Sequence, residues 1–303
     1  MKKTDRAFDF FYEKLLSEKT KYKSETIIVS IAIISFIVHL LLIVLVDLNV
    51  LQPKDYSKLL TNPIAAIYTP FSFILVYEVY LLVYYLPKST STYIGKQYEI
   101  IALIIIRRVF KDLSNLEFTL DWFKEKNDLQ FSYDLAATII LFFLIFIFYR
   151  LNQKKEELQT EKKPLSPAMA KFIKMKNIIA MCLIPIFLVL AVFSFGRWAY
   201  ESFLSATYMA DSVKDVNKIF FDDFFTILIL IDVLLLLFSF LHTDRFSKVI
   251  RNSGFIISTT LLKLSFGADG ILNTILIVVA VLFGVIILAI HNQYEKIAVA
   301  DKF

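Results

Sequence analysis

Cysteine and histidine, the side chains most used in metal binding and nucleophilic chemistry, are scarce in this chain of 303 residues. The single cysteine, Cys182, excludes an intrachain disulfide and a thiolate metal cage. The three histidines, His39, His242 and His291, are far apart and form no paired zinc motif. His39 lies inside an apolar run, where we expect a hydrogen bond to a neighbouring helix rather than a ligand. The sequence therefore predicts no metal and no cofactor.

Sequence motifs of enzymes and of nucleic-acid binding are also missing. There is no Gly-x-Ser-x-Gly elbow of the serine hydrolases. The glycine-containing turn at 267–270 follows no strand, so it predicts a tight hairpin rather than a phosphate loop. The basic stretch 150–176 also holds Glu156, Glu157 and Glu161, and it is better explained as a signal for membrane topology. We predict that the protein is not an enzyme and binds no nucleic acid.

Long apolar runs dominate the sequence. Hydrophobic residues make up 57% of the chain, whereas soluble domains have about 45–50% even when glycine is counted. Several runs approach the length of about 20 residues that a membrane-spanning helix needs. The first 25 residues carry acids and bases without a cleavage site, so we expect an uncleaved anchor rather than a signal peptide. The sequence predicts an all-α, multi-pass membrane protein.

The apolar runs define about eight transmembrane helices. They cover residues 26–46, 64–86, 94–110, 135–149, 178–195, 220–241, 248–266 and 271–291. The third is the weakest prediction, because its strictly apolar core is only 100–106. The predicted organisation is a charged amphipathic N-terminal segment (1–25), a first half (26–149), a basic cytoplasmic linker (150–176), a second half (177–291) and a short tail (292–303). Aromatic, amphipathic segments at 111–134 and 196–218 predict short interfacial helices.

The two halves resemble each other in sequence. At an offset of 154, Phe71, Glu78, Val79, Leu81 and Leu82 match Phe225, Asp232, Val233, Leu235 and Leu236. At an offset of 156, Ile100, Ile101, Arg107 and Phe110 match Ile256, Ile257, Lys263 and Phe266. Apolar residues match easily by chance, so the argument depends on the two charged pairs. The pattern predicts two parallel four-helix repeats, related by an axis along the membrane normal.

Loop charge predicts the orientation. With eight spans and the N-terminus inside, the inner loops hold 22 lysines and arginines and the outer loops hold 10. Since cytoplasmic loops are enriched in these residues, both termini should be cytoplasmic, in the plasma (inner) membrane. An alternative, in which the third and seventh segments only dip into the bilayer, would move the linker and its eight bases outside. The same rule opposes that arrangement.

A few charges interrupt the spans. Glu78 and Asp232 lie about 12–14 Å from the inner boundary, near mid-membrane, and a lone charge there indicates a functional site by default. The bases Arg107, Arg108 and Lys263 close the third and seventh spans. These bases could snorkel to the outer headgroups, pair with the carboxylates, or line a water-filled path. Pairing of Lys263 with Asp232 has to bridge an axial offset of about 8–10 Å.

Three hydroxyl side chains stand one turn before Lys263. Ser258, Thr259 and Thr260 could line a polar path and bind an ion. Alternatively, they bond to their own helix or permit close helix packing, as small polar residues commonly do in membranes. The second alternative is the one that we favour.

The leading hypothesis is a permeation protein, a channel or secondary transporter for a small ion or solute. Its predicted site residues are Glu78, Asp232, Arg107, Arg108, Lys263, Ser258, Thr259 and Thr260. An alternative hypothesis is a non-transporting membrane subunit that docks a protein partner or forms a homo-oligomer. An intramembrane enzyme acting on lipids is the least favoured of the three. The bilayer is a partner in all of them.

Overall fold

The computed structural model describes residues 2–50, 63–113, 126–158, 167–203, 216–241, 246–268 and 270–300. Throughout these ranges the regular structure is helical. The helices are α1 (Lys2–Leu16), α2 (Glu18–Asp47), α3 (Tyr68–Tyr85), α4 (Thr90–Leu113), α5 (Lys126–Leu158), α6 (Pro167–Phe203), α7 (Val216–Phe240), α8 (Phe246–Phe266) and α9 (Ile271–Ala300). A 3₁₀ turn, Pro63–Ile67, leads into α3. The predicted all-α class is confirmed.

Among the described residues, four segments are long and apolar enough to cross a membrane. They are Phe10–Asp47, Asp128–Gln153, Ala170–Phe193 and Ile271–Ile297. Two shorter apolar helices, Thr69–Tyr85 and Phe224–Phe240, lie in α3 and α7. Helices α2 to α9 coincide in order with the eight predicted segments. A helical membrane-type protein is thus supported, whereas full spanning by α3, α4, α7 and α8 stays a prediction.

Burial is inverted relative to that of a soluble protein. The long apolar helices expose large hydrophobic side chains, for example Ile34 (61%), Phe143 (62%) and Val189 (69%). Charged residues are instead buried, and Glu78 and Arg107 are only 3% and 2% exposed. A water-soluble monomer rarely exposes such large apolar patches. This surface suits contact with lipid, where the charges have to be shielded by other helices.

Local sequence signals set several helix boundaries. The hydroxyl of Ser17 accepts a hydrogen bond from the backbone N–H of Thr20 at 3.2 Å, which caps α2. Ser89 caps α4 in the same way through Thr92. Between α8 and α9, the N–H of Gly267 donates to the carbonyl of Leu264 at 3.2 Å. Gly270 adopts a φ of 62°, which favours glycine. These features fit the predicted hairpin.

The chain packs as two compact units, and each is described separately. Unit 1 comprises residues 1–84 and 100–139. In it, Nδ1 of His39 lies 2.5 Å from Oγ1 of Thr69, which confirms the expected bond to a neighbouring helix. The hydroxyl of Tyr77 donates to Glu25 at 2.9 Å, and that of Tyr80 donates to the carbonyl of Leu15. These bonds tie α3 to α2 and α1.

Unit 2 comprises residues 85–99 and 140–303. Helix α8 packs against α9 and α7, and α6 packs against α7. The Phe187 and Phe224 rings lie 4.6 Å apart where α6 meets α7. Gly284 on α9 permits a close approach, since a Cβ there would lie only 2.8 Å from Cζ of Tyr98. Unit 2 is therefore a bundle whose core includes the start of α4.

The predicted boundaries and the packing units differ in places. Helix α5 continues to Leu158 and α6 begins at Pro167, so much of the predicted linker 150–176 is helical. Residues 85–99 pack with the second unit, although the sequence predicts them as part of the first half. Most of the predicted interfacial segments (114–125 and 204–215) lies outside the described residues. The division into halves stays a prediction.

Candidate functional site

The carboxylate of the first half is held by a buried ion pair. Glu78 lies in the middle of α3, and Nη2 of Arg107 on α4 donates a hydrogen bond to its Oε2. The same guanidinium donates from Nη1 to the carbonyl of Phe71 at 3.5 Å and from Nε to that of Leu103 at 3.4 Å. Glu78 is therefore charge-compensated where it stands, and its partner is oriented by two backbone carbonyls.

Arg108, the next residue on α4, pairs with a different acid. Its Nη2 donates to Oδ1 of Asp134 on α5 at 2.7 Å, and its Nε donates to Oδ2. Gln130 donates to the same carboxylate at 3.0 Å. The bidentate geometry matches the fork of a guanidinium to a carboxylate. Arg107 thus forms the charge pair that was one of the alternatives, whereas Arg108 pairs with Asp134, which was not among the predicted site residues.

The carboxylate of the second half has different surroundings. Asp232 on α7 is 6% exposed, and Nε2 of Gln97 on α4 donates to its Oδ2 at 3.2 Å. The Tyr93 side chain, one turn earlier on α4, also interacts with Asp232, but its buried hydroxyl has no hydrogen-bond partner of normal geometry. Over the described part of the chain, Asp232 forms no ion pair. A neutral amide therefore occupies the position that an arginine takes at Glu78.

A small cavity borders Asp232 within unit 2. It has a volume of about 40 Å³. A buried water needs about 10–15 Å³ of such space, so the cavity accommodates two or three waters. Its walls are formed by residues of α4, α6, α7 and α8: Thr90, Tyr93, Ile94, Phe172, Lys176, Asp232, Leu235, Leu236, Ser239, Asn252, Phe255 and Ile256. The cavity is large enough for water or a small ion and too small for an organic solute.

Lys176 on α6 supplies the opposite charge in the cavity wall. Its side chain is 6% exposed. The ammonium group donates to the carbonyl of Lys88 at 3.2 Å and lies 5.5 Å from the Phe172 ring centre. It attracts the carboxylate of Asp232 without forming an ion pair at contact distance. The cavity thus has one acid and one base in its wall.

The cavity lies toward the end of unit 2 where α5 ends and α6 begins, which we call the linker end. There Asn292 of α9 donates to the carbonyl of Leu151 of α5 at 2.9 Å. Asn252 of α8 donates to Ser239 of α7 at 3.1 Å, and both line the cavity. Asp232 is eight residues from the end of α7, which is about 12 Å along the helix. The cavity therefore extends from the linker end toward a deep carboxylate.

Lys263 occupies a separate position from Asp232. Its Nζ donates to Oγ1 of Thr226 on α7. Thr226 is six residues before Asp232, which is about 9 Å along the helix and close to the predicted axial offset. Pairing of Asp232 with Lys263, one of the alternatives that the sequence left open, is thus not found among the described ion pairs. The charged residues that the sequence offsets match thus have different partners: Arg107 binds Glu78, whereas Lys263 binds Thr226.

Two of the three hydroxyl residues of α8 form hydrogen bonds to helix backbone or to a buried tyrosine in this structure. The Ser258 hydroxyl donates to the carbonyl of Ala280 at 2.7 Å and bonds the hydroxyl of Tyr98 at 2.7 Å. Thr259 bonds back to Ile256 of its own helix at 3.0 Å. Thr260 is half-buried. None of the three belongs to the described lining of the cavity, which agrees with the alternative that the sequence favoured.

Sequence reasoning missed three residues of this site. Tyr93 and Gln97 lie on α4, before the apolar core on which the third predicted span was based. Lys176 was counted only as a topology signal at the end of the linker. A glutamine four residues after a tyrosine, on one face of a short span, was the available signal for α4. Nothing local to Lys176 indicates that it faces Asp232.

Comparisons with known proteins do not assign the chain. No protein-family model matches it, and neither the curated proteins nor the solved structures that were compared include a match. The functional argument therefore depends on the site itself.

Proposed function

We propose that the chain is an integral membrane permeation protein for a small ion, with Asp232 as its ion-binding group. One observation carries the proposal: a buried carboxylate without an ion-pair partner among the described residues borders a water-sized cavity. A carboxylate in an apolar bundle is costly unless it is paired. Asp232 instead accepts a hydrogen bond from the neutral side-chain amide of Gln97, and it borders a space large enough for water. This arrangement suits transient occupancy by a cation or proton better than a permanent structural role.

The proposal includes eight spans and a duplicated architecture. Equivalent aromatic pairs support the repeat. Phe71 stacks on Phe110 with ring centres 5.5 Å apart, and their counterparts Phe225 and Phe266 stack at 5.2 Å. These are the residues that the two sequence offsets equate, and each pair joins the acid-bearing helix to the next helix. A shared ring geometry at two matched positions is a stronger argument than matched apolar residue types alone.

The two halves have diverged at the carboxylate. Glu78 accepts from Arg107 within a tightly packed pair, whereas Asp232 accepts from the neutral Gln97. A permanently paired acid is a poor exchange site, because an incoming ion has to displace a bound guanidinium. We assign ion binding to Asp232 and a structural role to Glu78, Arg107 and Arg108. Lys263 binds Thr226, about 9 Å along α7 from Asp232, and so is not part of the site.

Both termini are cytoplasmic in this proposal, and the linker end of unit 2 faces the cytoplasm. In this proposal the charged helices α4 and α8 cross the bilayer surrounded by other helices, which contact their polar groups and shield them from lipid. The apolar helices α2, α5, α6 and α9 face lipid. The excess of lysine and arginine in the inner loops supports this orientation.

Flux measurements test the proposal. Purified protein is reconstituted into vesicles, and entry of protons, Na⁺, K⁺ and Cl⁻ is followed for the wild type and for Asp232→Asn. We expect flux of at least one ion, and its loss in Asp232→Asn with unchanged yield and thermal stability. Asp47→Asn is the matched control, since Asp47 is an exposed carboxylate at the end of α2, and it should keep full flux.

Two results would overturn the proposal. One is wild-type protein that moves none of these ions. The other is Asp232→Asn that conducts like the wild type. If the wild type shows no ion flux and Asp232→Asn loses a co-purifying protein, the hypothesis of a subunit that docks a partner replaces the hypothesis of a permeation protein.

A further inference from the structure

We propose that the ion exchanged at Asp232 is the proton, and that the ammonium group of Lys176 in the same cavity wall promotes its release. This inference rests on the proposed function and specifies its substrate. It derives from three features of the cavity, which are its volume, the charges in its wall and the donors that surround the carboxylate.

The volume of the cavity limits which ions or molecules can bind beside Asp232. A cavity of about 40 Å³ holds two or three waters and leaves no space for an organic solute. A metal ion that enters has to exchange its hydration shell for protein oxygens, usually about six of them for Mg²⁺ or Ca²⁺. In the described part of the chain no group of three or more acidic, histidine or cysteine side chains could hold such an ion. A proton needs only one titratable group and water to carry it.

The charges in the wall disfavour other ions. A cation that approaches Asp232 also meets the ammonium group of Lys176, and an anion that approaches Lys176 meets the carboxylate of Asp232. In a partly apolar site, repulsion between like charges is stronger than in water. A proton is the exception, because it binds to the carboxylate itself and occupies no volume.

The hydrogen-bond donors are also arranged for proton exchange. Gln97 donates to Oδ2 of Asp232 at 3.2 Å, so that oxygen is already engaged. The Tyr93 hydroxyl is buried beside the carboxylate and has no partner of normal geometry. Water in the cavity can bond to both groups and connect them to the linker end. Tyr93 and Gln97 thereby act as positioning residues for the carboxylate.

The exchange step is a simple proton transfer. A hydronium from the linker end gives its proton to the carboxylate of Asp232, which forms a neutral carboxyl group and releases water. The ammonium of Lys176 then has no negative partner, and its charge favours release of the proton. The titratable groups that act on Asp232 are Tyr93 of α4 and Lys176 of α6. Arg251 of α8 acts on Lys176 in turn.

Vesicles that contain a pH-sensitive dye test the inference. A K⁺ gradient with valinomycin sets the voltage, and proton entry is recorded beside Na⁺, K⁺ and Cl⁻ flux. We expect proton flux in the wild type and a fall of about 100-fold in Asp232→Asn, the lower range for loss of a positioned proton-transfer group. Flux of Na⁺, K⁺ or Cl⁻ that depends on Asp232 without proton flux would overturn this inference and leave the proposed function intact.

Substitutions of Lys176 test its role through the pH profile of flux, which should not shift if Lys176 has only a structural role. Lys176→Met should shift the pH profile of flux to higher pH, because the carboxylate holds its proton more tightly without a neighbouring positive charge. Lys176→Arg keeps the charge and should keep the wild-type profile. Equal profiles for wild type and Lys176→Met would refute the role of the Lys176 charge in proton release.

A chemical label gives a second test that needs no variant to fold. Dicyclohexylcarbodiimide reacts with protonated carboxyl groups in apolar surroundings. We expect mass spectrometry to find the adduct on Asp232 and not on the paired Glu78, and proton flux to stop with labelling. Asp232 left unmodified at the pH of maximal flux would overturn the inference.

Discussion

Arg107 donates a hydrogen bond to the carboxylate of Glu78 in unit 1, with both side chains almost completely buried. Breaking such a pair leaves one charge unpaired in an apolar interior, which costs more than the pair itself contributes. Because of this difference in cost, removing the charge of a paired acid such as Glu78 should destabilise the fold more than removing that of an acid without an ion-pair partner. This difference leads to a direct stability test.

Glu78→Gln should lower the free energy of unfolding by about 3–5 kcal/mol, because it leaves the Arg107 guanidinium without its counter-charge. The double variant Glu78→Leu, Arg107→Met should be more stable than Glu78→Gln, since it removes both charges together. Thermal unfolding of the detergent-solubilised protein measures both effects. A double variant that is less stable than Glu78→Gln would contradict the assignment of Glu78 to a structural pair.

Gly284→Ala should destabilise unit 2 by about 1–3 kcal/mol, as overpacking does in a dense core. The added Cβ would meet the Tyr98 ring, which is fully buried and bonded to Ser258. Gly196→Ala on α6 is the matched control, since no described atom beyond its own stretch of helix lies within 4 Å of the added Cβ. It should keep or slightly raise the stability. Similar melting temperatures for the two variants would show that α9 and α4 do not approach closely.

Ser258→Ala should reduce stability by about 1–3 kcal/mol and leave ion flux unchanged. The hydroxyl bonds Tyr98 and the carbonyl of Ala280, and its loss leaves buried polar groups without a partner. Melting curves and vesicle flux on the same preparation separate the two effects. Strong loss of flux at normal stability would instead return Ser258, and with it Thr259 and Thr260, to the permeation path.

Cysteine labelling in intact cells tests the orientation. With Cys182 replaced by alanine, Ser166→Cys in the predicted linker should react with a membrane-impermeant maleimide only after the cells are opened. Asp55→Cys in the first predicted outer loop should react without opening. Labelling of Ser166→Cys in intact cells would favour the alternative in which the third segment dips into the bilayer and returns.

Part of the site was predictable because the signals are local. A lone acid in an apolar run is visible in the sequence, and its cost in a membrane follows from solvation alone. Glu78 and Asp232 could thus be identified without coordinates. The offset between Asp232 and Lys263 followed from the helical rise of about 1.5 Å per residue. Their partners were not predictable in this way, since Gln97 is 135 residues from Asp232 in sequence.

The sequence by itself determined a helical, apolar chain with a lone carboxylate in two of its apolar runs, because composition and periodicity act within single segments. Only the tertiary structure decided that Arg107 is bound to Glu78 while Asp232 faces Gln97, Lys176 and a water-sized cavity. The reason is geometric. Each residue turns an α-helix by about 100° and advances it by about 1.5 Å, so small differences in helix rotation and offset decide which charges meet.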